Sequence, residues 1–219
     1  PRAQSSAELY GQAMHAGLAA YFNGYAREEE STLAARHAFE NALRRTHLSE
    51  QEYMRYKVEG ARELAGYLAS RAFPRVSWNE YRIGGVFLPV GKEKVELTGM
   101  LDKVELLPSG GVAVVDYKTG SPKTRNEILG KTKNANGNYY RQLVFYKLLL
   151  DGSRKRGWRM AEGAIDFIKP AKNDSYRREV FVIDDGEVAA LQKQLAAVAA
   201  EILDLSFLAR GCGKRECEW

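Results

Sequence analysis

The stretch VVDYKTG, Val114 to Gly120, restricts the possible folds of this chain more than any other. It closes an apolar run that starts at Val112, is too short for a typical helix, and is bounded by turn residues, so it reads as a strand. Alternation along a strand puts Asp116 and Lys118 on one face, about 7 Å apart between Cα atoms. An acid and a base at a strand end are either an ordinary surface ion pair or half of a metal-dependent site. The rest of the chain has to decide between them.

With 219 residues the chain is long enough for one well-cored domain with a helical annex. A net charge of +5 and a sequence pI of about 9.1 lean towards polyanionic partners. No run approaches the length needed to span a bilayer, and PRAQSSAELY lacks the apolar core of a signal peptide. Two cysteines point to a reducing compartment without a disulfide framework, hence to the cytoplasm. A start without Met and an abrupt end after a cysteine-bearing segment are what a fragment of a longer chain would give.

The first third reads as helical. Ser5 and Glu8 form a capping box ahead of an apolar stripe of Leu9, Met14, Leu18 and Phe22. Helices follow at Glu28–Thr46 and Ser49–Ala72, the latter capped by Ser49 and ended by Pro74. Strands are expected at Val76–Tyr81, Val86–Val90, Val95–Leu107 and Val112–Tyr117, the last two joined as a hairpin through Pro108–Gly111. Gly120–Asn138, with Lys123, Arg125, Lys131 and Lys133, reads as a mobile basic loop. A helix at Tyr139–Leu150, strands near Gly163–Ile168 and Arg178–Ile183, and a helix over Gly186–Leu205 complete the order. That order favours an α/β sandwich with a small central mixed sheet and an added N-terminal helical layer.

In LTGMLDKVEL, Asp102 interrupts an apolar strand, and burying an unpaired carboxylate is costly. The Pro108–Gly111 hairpin brings Asp102 near Asp116, and two converging carboxylates repel unless a proton or cation sits between them. Oxygen ligands of this kind suit Mg²⁺ or Mn²⁺. Lys118, beside such a cation, is placed to orient or help deprotonate a water.

These elements, taken in order, resemble the RecB-like branch of the PD-(D/E)XK nucleases. The motifs are G-x-x-D at Gly99–Asp102, D-Y-K-T-G at Asp116–Gly120, Q-x-x-x-Y at Gln142 and Tyr146, and upstream G-x-x-x-H at Gly11 and His15. The resemblance implies a restriction-endonuclease-like α/β/α sandwich, with residues 1–73 as helical part, 74–205 as nuclease core and 206–219 as tail. It implies that His15, Asp102, Asp116 and the Tyr117 backbone carbonyl hold Mg²⁺ or Mn²⁺, and that Lys118 is the catalytic lysine. Gln142 and Tyr146 then face the site and the DNA. It further implies phosphodiester hydrolysis on single-stranded or duplex DNA ends, a helicase motor as companion, and a nucleoid-associated role in recombination and repair. Two departures stand out: Leu101 precedes Asp102 where relatives often carry proline, and Lys103 replaces an arginine, keeping its charge but losing its bidentate fork.

Several features keep a plainer reading. Glu80, in SWNEYRI, is either a site-adjacent carboxylate or a strand-edge charge, and His15 alone is equally an interface histidine. His37 and His47, set among arginines, take no role. Lys131 and Lys133 in the basic loop are candidates for phosphate contact, although charge runs are usually solvated surface. Gly130-Lys131-Thr132 mimics a phosphate-binding loop, but Arg125 stands where its first glycine belongs. Cys212 and Cys217 are too few for the four-cysteine iron–sulfur cluster of some RecB-like nucleases. The rival functions are a DNA-binding module without cleavage and a helicase-docking domain.

Overall fold

The computed structural model describes residues 3–24, 28–73, 77–153 and 155–209. Three helices come first, α1 (Ser6–Asn23), α2 (Glu28–Arg44) and α3 (Glu50–Ala69), followed by strands β1 (Ser77–Val90), β2 (Glu93–Leu106) and β3 (Val112–Lys118). Then come α4 (Arg125–Ile128), α5 (Asn138–Gly152), β4 (Met160–Phe167), β5 (Arg178–Phe181), α6 (Asp185–Leu203) and a 3-10 turn at Ser206–Ala209. Capping boxes open α1 at Ser5 with Glu8 and α3 at Ser49 with Glu52, as the sequence pattern predicts.

The five strands lie in chain order in one sheet, all antiparallel except the parallel pair β3–β4, which α4 and α5 connect. Six of the seven residues of β3 are buried, so this strand is covered on both faces. Val112 and Val114 join Leu143, Leu149 and Leu150 of α5 and Leu191 of α6 in one core. Val115 and Tyr117 join Met14 and Leu18 of α1, Phe39 of α2 and Tyr67 of α3 in the other. The result is an α/β/α sandwich over a small mixed sheet with an N-terminal helical layer. Among the described residues no helix is long and apolar enough to cross a membrane.

The helical layer does not rest on apolar contacts alone. Lys103, 0% exposed, lies 3.0 Å from Glu105, its amine 3.5 Å from the centre of the Phe22 ring. Glu105 pairs with Arg178 at 2.9 Å. Asp166 takes Arg71 at 2.8 Å and the Tyr67 hydroxyl at 2.8 Å. Burial drives the Lys103 pKa down, against the pull of Glu105, and burial raises that of Asp166 despite Arg71 and Tyr67. Here the lysine that replaces the expected arginine works with its single amine, over an aromatic ring and beside one carboxylate.

Three expectations need correcting. The strands expected at Val76–Tyr81 and Val86–Val90 form one strand, because the chain bulges at Gly84–Gly85 instead of turning; Gly85 takes φ 75° and its N–H donates to Glu96 Oε1 at 2.7 Å. Gly120–Asn138, expected as a loop throughout, carries the one-turn helix α4 between irregular stretches. Thr124 and Glu127 form a capping box for α4, Ile128 is buried, and Gly130 at φ 73° packs on Gly137. The sequence pattern hid this because the element is a single turn long. The helix after Ser49 ends at Ala69 rather than Ala72. Pro74, Val76, Cys212 and Cys217 lie outside the described residues.

Asp166→Ala takes the carboxylate partner from Arg71 and the acceptor from the Tyr67 hydroxyl, and urea denaturation is expected to show a loss of about 3–5 kcal/mol. A loss below about 1 kcal/mol would mean that the ion pairs do not secure the helical layer.

Candidate active site

β2 and β3 pair in register from Leu106↔Val112 to Lys103↔Val115. One step further, Asp102 takes over: its Oδ2 accepts the Tyr117 N–H at 2.8 Å, where a backbone carbonyl would ordinarily serve. The carboxylate thereby satisfies a buried donor and is pinned at the place where the two strands part. Its other oxygen, Oδ1, lies 3.4 Å from His15 Nδ1 on α1. Glu80 Oε1 lies 3.8 Å from the same nitrogen.

Glu80 reaches this point by an unusual backbone. Its φ is 50°, in the left-handed region that costs a non-glycine residue about 1–3 kcal/mol. Asn79 bonds Asn23 of α1 while Trp78 and Tyr81 pack on the α5 side, so two successive residues of β1 face α1 where regular alternation allows one. The strain turns the Glu80 carboxylate towards His15 and Asp102. His15, Glu80 and Asp102 each offer a ligand atom, and all three atoms lie within 4.8 Å of one another.

Asp116 and Lys118 face α5. Asp116 Oδ2 is 2.7 Å from Lys118 Nζ, and its Oδ1 accepts the Tyr146 hydroxyl at 3.1 Å. Lys118 Nζ donates to Gln142 Oε1 at 2.8 Å, and Gln142 Nε2 donates to the Tyr146 oxygen at 2.7 Å. One helical turn separates Gln142 from Tyr146, so a single face of α5 holds both the acid and the base. The Tyr139 ring packs against Lys118 as well, with the amine 4.5 Å from its centre.

Electrostatics tie the two groups together. Burial and the charge of Asp102 push the Asp116 pKa up to about 6, against the pull of Lys118. Burial, with Asp102 second, raises Glu80. Burial opposes charge on His15, but the hydrogen bond and charge of Asp102 outweigh it and raise its pKa. Burial and the Asp116 charge push the Tyr146 hydroxyl up too. Three carboxylates and one imidazole thus share a region where negative charge is crowded.

That donor set fits a hard divalent cation. It offers one imidazole nitrogen and several carboxylate oxygens, and buried Asp116 Oδ2 makes no well-aligned hydrogen bond, despite its nearness to Lys118. The tightest group is nevertheless not the set expected from the sequence. Glu80, rather than Asp116, completes the cluster with His15 and Asp102, because the Asp116 oxygens are turned to Lys118 and Tyr146. Lys131 and Lys133 lie exposed between α4 and α5. The basic residue of this segment that reaches the site is Lys123, 4.4 Å from the centre of the Tyr139 ring. The Q-x-x-x-Y spacing does not point to Tyr139, one turn before Gln142; only the helix face does.

Comparison with known proteins follows the same line. The family model for the PD-(D/E)XK nuclease superfamily matches residues 1–219. The solved structure of SSO0001 is 12% identical, with a TM-score of 0.43, over 90% of this chain and 74% of that one. The solved structure named as a putative exonuclease from Eubacterium rectale is also 12% identical, with a TM-score of 0.42, over 95% of this chain and 68% of that one. Neither likeness is close enough to bear on activity. No match is found among curated proteins.

Asp102→Asn keeps an acceptor for the Tyr117 N–H but removes the charge, whereas Asp102→Ala removes both. The alanine variant is expected to be less stable than the asparagine variant by about 1–3 kcal/mol in chemical denaturation. Both are expected to lose most of the thermal stabilisation that Mn²⁺ gives the wild type, which at a hundredfold excess over Kd is about 2.7 kcal/mol. Equal stability of the two variants would show that the Tyr117 N–H does not depend on this carboxylate.

Proposed function

The chain belongs to the PD-(D/E)XK nuclease superfamily, and from that premise we propose that it is a metal-dependent deoxyribonuclease of the RecB-like branch. The observation that carries the reading is the gathering of His15, Glu80 and Asp102 around one point, with the Asp116–Lys118 pair beside it. His15, Asp102, Asp116 and the Tyr117 carbonyl are the groups that hold Mg²⁺ or Mn²⁺, with Glu80 as a further carboxylate. The bound ion supplies Lewis acidity and a lowered pKa for water.

The chain's own residues do the rest. The charge of Asp102 raises the cost of ionising buried Asp116, and a cation between the two carboxylates would relieve that cost. His15 would hold the ion as the neutral imidazole, since only that form has a lone pair to offer. Lys118, steadied by Gln142 and Asp116, holds the attacking water in line with the phosphorus. The water oxygen forms the new P–O bond and gives up a proton to solvent, and the leaving oxygen departs with the electron pair of the old bond and takes up a proton from solvent. Tyr146, bonded to both Asp116 and Gln142, keeps acid and base in register.

The same reading sets residues 1–219 as one nuclease domain, with 1–73 as its helical part, 74–205 as its core and 206–219 as its tail. It makes single-stranded or duplex DNA ends the substrate and a helicase motor the companion, in cytoplasmic, nucleoid-associated recombination and repair. The excess of basic residues, +5 overall, suits a polyanionic substrate.

Purified protein with Mn²⁺ is expected to degrade end-labelled linear DNA, and EDTA to stop it. Lys118→Ala is expected to cut cleavage at least about a hundredfold, as loss of a positioned proton-handling group does, while circular dichroism and the Mn²⁺ thermal shift stay near wild type. A variant that cuts as fast as the wild type would rule out this role for Lys118.

A further inference from the structure

Tyr139 stands in the first turn of α5, and two amines share its ring: Lys118 Nζ at 4.5 Å from the ring centre and Lys123 Nζ at 4.4 Å. Lys118 is engaged by Asp116 Oδ2 at 2.7 Å and Gln142 Oε1 at 2.8 Å. Lys123 is held through its backbone instead. It follows Pro122 and precedes Thr124, whose capping box with Glu127 and whose neighbour Ile128, buried in the core, fix the segment. Glu127, the acid nearest in sequence, turns its Oε2 to the Thr124 N–H and hydroxyl, each at 2.7 Å.

Two ammonium groups at one ring repel each other. Asp116 offsets the charge of Lys118, and the ring's negative face attracts both amines but carries no net charge to neutralise Lys123. An anion lying between or beside them removes that repulsion. Lys123 and Tyr139 are half-buried, so the pair is open to a ligand. A cation beside an aromatic ring is the arrangement that takes a nucleic-acid backbone together with the flat face of a nucleotide. We infer that Lys123 and Tyr139 form a second backbone subsite, which receives the phosphodiester next to the one at Lys118. Lys123 is the cation of this subsite, and Tyr139 is a positioning residue that sets the spacing of the two amines. The inference takes its ligand class from the nuclease reading, yet binding alone tests it.

The 219-residue chain in EDTA is titrated with fluorescein-labelled oligothymidylate at several salt concentrations. Lys123→Gln is expected to bind about five- to tenfold more weakly, with the log–log salt slope shallower by about 0.7, the share of one single-strand phosphate contact. Lys123→Arg is expected to restore both values, and Tyr139→Phe, which keeps the ring, to bind like wild type while Tyr139→Leu does not. With Mn²⁺ present, Lys123→Gln is expected to raise KM by more than it lowers kcat. Unchanged affinity, or weaker affinity with an unchanged salt slope, would overturn the subsite. A wild type that cuts, beside a Lys123→Gln variant of unchanged KM, removes the subsite and leaves the nuclease reading intact. A wild type that binds through Lys123 but never cuts with any divalent metal removes the nuclease reading and leaves the subsite.

Discussion

The hydrogen bond from the Tyr117 N–H to Asp102 Oδ2, 2.8 Å long, is the contact on which the site's geometry depends. It forms one step beyond the last paired residues of β2 and β3, so a side chain continues a ladder that the backbone has left. A buried N–H must find an acceptor, and here the acceptor is a carboxylate whose second oxygen remains available for chemistry. The strands can therefore separate without leaving an orphaned donor. Asp116 and Lys118 are left facing α5 on one side of β3, and Asp102 faces His15 on α1.

The site consequently draws on both layers of the sandwich. α1 contributes His15, α5 contributes Gln142 and Tyr146, and the sheet contributes the three carboxylates. Such a site is only as well ordered as the packing of the helical layer on the sheet. The buried chain of Lys103, Glu105, Arg178, Asp166 and Arg71 lies under that layer, on the face away from α5. Buried ion pairs add little net stability compared with apolar packing, because desolvation offsets the attraction. Their effect is directional: Asp166 holds the Tyr67 hydroxyl of α3 and the Arg71 guanidinium just beyond it, which fixes where α3 settles on the sheet.

The carboxylates also conflict with the fold. The charge of Asp102 adds to burial in raising the cost of ionising Asp116 and Glu80, and Glu80 sits in a backbone region disfavoured for its type. Consistency across local and global preferences is the usual mark of a folded sequence, and departures from it gather where function demands them. Here strain, like-charge crowding and an unaligned buried oxygen coincide within one small volume.

Much of this was legible in the chain itself. Capping residues fixed the starts of α1 and α3, the apolar run fixed β3, and the Pro108–Gly111 turn fixed the antiparallel partner that carries Asp102. Those are local rules, readable because they act over a few residues. The spacing of Gln142 and Tyr146 likewise puts two side chains on one helix face by helical geometry alone. Tertiary structure decided what depends on distance through space. That Glu80 rather than Asp116 closes the triad follows from one backbone angle and from the pull of Lys118 and Tyr146. That Lys123 rather than Lys131 or Lys133 approaches the site follows from a single-turn helix that leaves no periodicity to read. A sequence specifies which groups a strand or helix presents; only the packing of one element on another determines which of those groups meet.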